Sequence, residues 1–185
     1  MNDDAVPAAP TDPEHETSDS ASSADVAAFW DDVKHHAHLS AAPGYFGASP
    51  LEALQPPAFS FGDSPEQSDE LLELILEGAK TATAGAAWDY EAADEPLPSI
   101  GTLGIVLDGS GHPRALIVTT SVEVKPFDQV DADFARAEGE GDGSLDYWRE
   151  EHRRFFSSVA VHDRGFSEDM PVVLERFELI WPKPE

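Results

Sequence analysis

Glu77-Gly78-Ala79-Lys80-Thr81-Ala82-Thr83-Ala84-Gly85 is the stretch on which the reading of this chain turns. Upstream of it, Ser64-Pro65-Glu66-Gln67 is a helix start, with a Ser N-cap, Pro at the first helical position and Gln at the third. Leu71, Leu72, Ile75 and Leu76 continue it as an apolar face at helical spacing, and Gly78 fits the left-handed position that ends such a helix. Lys80 and Thr83 lie beyond that stop, at the entry to a strand or turn. The chain has only 11 Lys and Arg against 37 Asp and Glu, so a lysine at this place is a candidate for a role other than solubility.

Downstream the pattern changes to strands. Leu103 to Leu107 is a short apolar strand, Asp108-Gly109-Ser110-Gly111 a turn, and Arg114 to Val124 a run rich in Val, Ile and Thr, which together predict an antiparallel hairpin. Val172 to Trp181 alternates imperfectly through Val173, Glu175, Phe177 and Leu179 and is expected to be the strand that closes the sheet. Between them lie a short helical pattern after Asp131 and a longer one from Ser144 to Phe156, whereas residues 89–101 read as an acidic, Pro-rich loop. Hairpins with inserted helices, rather than alternating βαβ units, argue for α+β with a small, mainly antiparallel barrel or curved sheet.

The rest of the chain bounds the domain. Residues 1–23 are acidic, hold no Lys or Arg, and are expected to form a disordered tail; residues 24–60 read as an amphipathic helix from Ser23 to Leu39 followed by a Pro- and Gly-rich connector with a helical piece around Leu51; residues 61–185 form the main domain. The absence of cysteine removes disulfides, thiolate nucleophiles and Cys-based metal sites. No segment has the roughly 20 apolar residues of a membrane span, and the first residues lack the pattern of a signal peptide, so a cytoplasmic location is expected. A formal net charge of -26 opposes duplex DNA and other long polyanions, whose binding draws on Lys and Arg displacing counterions. It leaves small local pockets open.

Three constellations can carry chemistry. Gly78-Ala79-Lys80-Thr81 is not a phosphate loop, because Lys80 follows Ala79 rather than Gly and a helix precedes it. Lys80 and Thr83 can converge on a pocket, where a lysine with a lowered pKa would act as base toward a hydroxyl; the same spacing also fits a lysine on a rim and a threonine lining a strand. Glu138-Gly139-Glu140-Gly141-Asp142-Gly143 can supply a catalytic carboxylate, hold Mg²⁺ or Mn²⁺ through oxygen ligands, or form an acidic surface loop. In Tyr147-Trp148-Arg149-Glu150-Glu151-His152-Arg153-Arg154-Phe155-Phe156, Trp148, His152 and Phe155 share one helical face and Arg149 and Arg153 the next. That helix suits either base stacking with phosphate contact or core packing with paired arginines.

Taken in order, these clusters resemble the ASCH family, a branch of the PUA-like superfamily, over about Phe61 to Trp181. The residues that carry the resemblance are Phe61-Gly62-Asp63-Ser64, Gly78-x-Lys80-Thr81-x-Thr83, Pro98-x-x-Gly101, Thr119-Thr120-Ser121-Val122, Pro126-Phe127, Glu138-Gly139-Glu140-Gly141-Asp142, Trp148-Arg149-x-x-His152 and Phe155-Phe156. The family often has Arg two residues after the threonine, where this chain has Gly85, and Arg149 or Arg153 is the expected substitute.

The resemblance implies a small β-barrel with surrounding helices and a cleft suited to nucleotides or RNA. It also implies one of two activities, hydrolysis of the amide in N4-acylated cytidine nucleosides or metal-assisted ribonuclease action. For the first, Lys80, Thr83 and Glu138 match the family's catalytic lysine, threonine and glutamate: Lys80 takes the Thr83 proton, Thr83 attacks the acyl carbon, and Glu138 positions or returns a proton. Thr81, Trp148, Arg149 and His152 are the expected substrate contacts. Amide hydrolysis needs no cofactor, whereas the ribonuclease would use Mg²⁺ or Mn²⁺ at Glu138, Glu140 and Asp142. The acidic charge ranks a modified nucleoside above a short RNA as partner, with a non-catalytic nucleotide-binding module as the remaining alternative.

Overall fold

The computed structural model describes residues 17–36, 55–158 and 163–183. Along the chain these form α1 (Thr17–His36), β1 (Ala58–Phe59), α2 (Pro65–Leu76), β2 (Ala82–Ala86), α3 (Ala87–Ala93), β3 (Leu103–Leu107), β4 (Pro113–Pro126), a 3-10 turn (Phe127–Gln129), α4 (Ala132–Glu138), α5 (Leu145–Ser158) and β5 (Pro171–Trp181). The fold is α+β, as the mix of hairpin and helical patterns predicts.

The five strands make one sheet in the order β1-β3-β4-β5-β2, with β1 parallel to β3 and every other pair antiparallel. The expected hairpin is β3–β4, and the expected last strand is β5, but β5 lies inside the sheet between β4 and β2 rather than at its closing edge. The sheet is consequently open and does not complete a barrel. Closure would pair β1 with β2; instead Phe59 and Phe61 on one side face Thr83 and Gly85 on the other across a cleft of about 430 Å³.

Alternation along the strands divides the core. Ile105 and Leu116 point to the face covered by Val26, Trp30 and Val33 of α1. Val106, Ala115, Ile117 and Phe177 point to the face covered by Leu72 and Ile75 of α2. Val172 and Leu174 of β5 pack with Phe134 of α4 and Trp148 and Phe156 of α5. The α2 start is as read: the Ser64 hydroxyl accepts the Gln67 amide at 3.2 Å, and Gln67 Oε1 accepts the Asp63 amide at 2.9 Å. At the other end Gly78 has φ +76°, the left-handed stop that only glycine adopts freely.

Two segments differ from expectation. Helix α1 begins at Thr17, so the last residues of the expected disordered tail are helical; extending a helix already docked through Val26, Trp30 and Val33 adds a hydrogen bond per residue without a new nucleation step. The acidic loop expected at residues 89–101 opens as helix α3, because Ala87, Ala92 and Ala93 favour a helix and Trp88 packs on the α4–α5 core. Asp94 ends it at φ 55°. The rest of the expected tail, at residues 1–16, and the connector piece around Leu51 lie outside the described residues.

Because α1 covers one face of the sheet through a nearly enclosed tryptophan, Trp30→Ala is expected to lower unfolding free energy by about 3–5 kcal/mol in denaturant titration. A loss under about 1 kcal/mol would mean that α1 is not part of the cooperative fold.

Candidate active site

The Glu77 to Gly85 stretch is held in place by backbone bonds at both ends. The amides of Ala79 and Lys80 both donate to the Leu74 carbonyl of α2, at 2.9 and 3.0 Å, so the end of the helix fixes where Lys80 begins. The Thr81 amide donates to the Ala137 carbonyl of α4 at 2.7 Å, and the Phe177 amide donates to the Thr81 carbonyl at 3.0 Å, which joins β2 to α4 and β5. At the end of α4, Gly139 turns the chain at φ +70° and brings its backbone against Ala79; a Cβ there would lie 2.3 Å from the Ala79 carbonyl oxygen. This close approach presents Glu138 and Glu140 to the same ammonium group.

Lys80 and Glu138 are almost wholly enclosed, each with 1% of its side chain exposed, while Glu140 keeps 23%. Lys80 Nζ lies 3.2 Å from Glu138 Oε2 and 2.6 Å from Glu140 Oε1, and 5.5 Å from the centre of the Phe61 ring. The other oxygen of Glu138 accepts the Trp148 indole N–H at 2.8 Å and faces His152 Nε2 at 3.4 Å. His152 stacks on Trp148, ring centres 4.1 Å apart, and its Nδ1 donates to the Trp148 carbonyl at 3.0 Å.

The electrostatics follow from this arrangement. Burial alone would pull the Lys80 pKa down, but the charges of Glu138 and Glu140 and their hydrogen bonds override it and raise it above 10.5. Burial alone would push the Glu138 carboxyl up; the charge of Lys80, then that of His152, and hydrogen bonds from His152 and Trp148 hold it down at about 2. Lys80 is therefore an ammonium, not the lowered-pKa base that its enclosure suggested.

A cavity of about 330 Å³ opens onto this cluster, and Lys80, Thr83, Glu138, Glu140 and His152 all line it. Thr83, Ala84 and Phe61 border both this cavity and the larger cleft.

The remaining residues expected at the site are elsewhere. The Thr81 hydroxyl donates to the Ala137 carbonyl at 3.2 Å and lines neither space: Thr81 lies just before β2, tied to α4 by its amide and hydroxyl, whereas Thr83 lies within the strand and borders both spaces. Trp148 stands behind Glu138, buried. Arg149 donates to the Asp128 carbonyl at 3.2 Å, and Arg153 pairs with Glu168 at 2.6 Å, so neither replaces an arginine at position 85. Tyr90 of α3 occupies the space over Gly85 instead, its ring 3.4 Å from where a Cβ would lie. On α5 the inward aromatic is Phe156, while Phe155 is on the cavity rim.

As arranged, Glu138, Glu140 and Asp142 do not fit a divalent cation. The Lys80 ammonium lies between the two glutamates, and Asp142 turns away to accept the Ser144 amide at 2.8 Å. Among the described residues no group of three His, Asp or Glu is placed to hold a metal ion.

Fold and site together define an α+β domain of the ASCH/PUA-like kind, with a buried Lys–Glu pair beside an open cleft. The comparisons agree. The ASCH-domain family model matches residues 57–181, and the chain belongs to the ASCH family. Protein EF3133 of Enterococcus faecalis V583 superposes with TM-score 0.70 at 36% identity, over 85% of this chain and 91% of that one. The ASCH domain from Lactobacillus crispatus JV V101 does so with TM-score 0.68 at 32% identity, over 82% and 94%. No curated protein sequence matches the chain. Among the described residues no helix is long and apolar enough to cross a membrane.

Removing half of the ion pair should be visible in stability. Glu138→Gln leaves Lys80 with one carboxylate and is expected to lower unfolding free energy by about 3 kcal/mol near neutral pH. In the wild type the Glu138 contribution is complete above its ordinary value of 4.5 and is lost as pH falls toward about 2. The contribution of Lys80 is complete below 10.5 and is lost as pH rises past its raised value. Thermal melts of the variant should accordingly show a flatter acid limb; one parallel to the wild type would remove Glu138 from the account.

Proposed function

We propose that the chain is a hydrolase of the amide bond in an N4-acylated cytidine nucleoside, with Thr83 as nucleophile. The observation that carries this reading is that Lys80, Thr83 and Glu138 line one cavity, with an ammonium held rigidly beside the hydroxyl-bearing strand. Thr83 Oγ1 attacks the acyl carbon, and the oxyanion that develops is stabilised by Lys80, whose charge is already fixed and desolvated. The proton lost by Thr83 passes to Glu140, the more accessible of the two carboxylates. Glu138, held near 2 and closed in by Lys80 and Trp148, is too weak a base for that step and serves to hold the ammonium in place. Return of the proton to the exocyclic nitrogen releases cytidine, and water then hydrolyses the threonyl ester to give the free acid and regenerate the hydroxyl.

A small substrate fits this surface better than an RNA strand. Arg154 lines the cavity but is paired with Glu151, Arg153 is paired with Glu168, and Arg149 donates to the Asp128 carbonyl, so two of the three arginines of α5 already face carboxylates, which weakens the helix as a track for a phosphate backbone.

In assays that follow cytidine release from N4-acetylcytidine, Thr83→Ala should lose roughly 10³-fold or more in kcat with binding retained. Lys80→Ala should lose roughly 10²–10³-fold, and Lys80→Arg, which keeps the charge and cannot serve as base, should recover part of that loss in a variant shown folded by thermal melt. Wild-type turnover unaffected by Thr83→Ala would discard the nucleophile. Binding without turnover by the wild type would make the chain a nucleotide-binding module.

A further inference from the structure

The larger cleft contains one feature that the catalytic reading leaves unused. Its walls are largely apolar, with Phe59, Phe61, Phe177 and Val173 among them, yet Glu175 of β5 opens into it. Along β5 the residues on this face are otherwise Val173 and Phe177, so the carboxylate breaks an apolar stripe.

Among the described residues Glu175 has no cationic partner, and its one side-chain hydrogen bond is from Thr119 Oγ1 to Oε1 at 2.5 Å. A half-buried carboxyl without a cation is unfavourable unless something else uses it. Its placement is specific as well: Glu175 is the direct partner of Thr83 in the β2–β5 ladder. Directly opposed residues on one face have Cβ atoms about 4.5–5.5 Å apart, close enough for both side chains to touch one small group.

We propose that Glu175 is the substrate-reading carboxyl of this site, accepting a hydrogen bond from the N–H of the scissile amide while the attached ring lies between the aromatic walls of the cleft. This rests on the hydrolase reading of Thr83 and deepens it. An N–H held at Glu175 turns the adjoining carbonyl carbon toward Thr83 and its oxygen toward Lys80, on the side where the two spaces meet at Thr83 and Phe61. Thr119, buried at the back, fixes the carboxyl through its hydroxyl. The substrate class that follows is a secondary amide on a flat heteroaromatic ring. Esters and N-alkylated amides lack the donor and are poor substrates. Glu95, Thr102 and the Tyr90 hydroxyl also line this cleft, and burial together with the neighbouring charge of Glu175 raises the Tyr90 pKa.

The test pairs a change in the protein with a change in the ligand. N4-acetylcytidine and its N4-methyl derivative, which lacks the N–H, are titrated calorimetrically into Thr83→Ala and into Thr83→Ala combined with Glu175→Ala or Glu175→Gln. Thr83→Ala should bind the N–H ligand about 10- to 100-fold more tightly than the methylated one, the range expected for a hydrogen bond to a charged group. Glu175→Ala should abolish that preference, and Glu175→Gln, whose carbonyl still accepts, should restore most of it. A merely structural Glu175 would weaken both ligands alike and would not be rescued by ligand choice. A preference that survives Glu175→Ala overturns the inference. If the preference depends on Glu175 but the wild type turns over neither ligand, the inference stands and the hydrolase reading falls. If Thr83→Ala binds neither ligand, the inference falls, and wild-type turnover then judges the hydrolase reading alone.

Discussion

The site and the elements around it depend on one enclosed charge. Lys80 carries its ammonium into a space with almost no solvent, and two carboxylates from the end of α4 meet it there. Desolvating a charge is expensive, so such an ammonium persists only where opposite charge and hydrogen bonds surround it. That requirement explains the backbone: α2 must stop at Gly78 so that Lys80 turns inward, and α4 must end on a left-handed glycine that lies against Ala79. It also explains why an indole and an imidazole of α5 are turned to the far oxygen of Glu138 rather than left to pack as plain apolar surface.

The same pair constrains the chemistry. An enclosed lysine suggests a neutral amine when considered alone, because burial disfavours the charged form. Two carboxylates within hydrogen-bonding distance reverse the sign, so the group enters any reaction as fixed positive charge. In the proposed mechanism the roles divide by exposure: the fully enclosed carboxylate positions the ammonium, and the partly exposed one takes the proton of Thr83. The overall charge of -26 is compatible with this local arrangement, in which one ammonium is enclosed by two carboxylates.

Much of this was legible in the sequence, and what was not has physical reasons. The cap at Ser64, the stop at Gly78, the β3–β4 hairpin and helices α4 and α5 are set by local patterns, and all are present. Helix α3 was hidden because its acidic residues and the prolines that follow resemble a loop, whereas Trp88 finds its packing partners only in the folded chain. Strand β1 spans two residues and pairs with a strand far along the chain, so no local pattern marks it. Thr81 and Thr83 are alike in sequence, and only the fold shows that Thr81 is bound to Ala137 ahead of β2 while Thr83 stands in the strand at the cleft. Arg149 is one residue from the inward face of α5, enough to send it to Asp128 instead of the cavity. Glu175 did leave a signal, the one charged residue in the alternation Val173-Glu175-Phe177. Its meaning depended on the β2–β5 register, which sequence alone does not supply.

The protonation state of Lys80 is the claim on which the account rests, and it can be observed directly. Heteronuclear NMR of the Lys80 side chain, assigned through loss of its signal in Lys80→Arg, follows the Cε and Nζ shifts as pH is raised. The expected result is an ammonium that persists through 10.5, beyond the ordinary lysine value. A Lys80 signal that titrates near neutral pH would show an amine free to act as base and would contradict it.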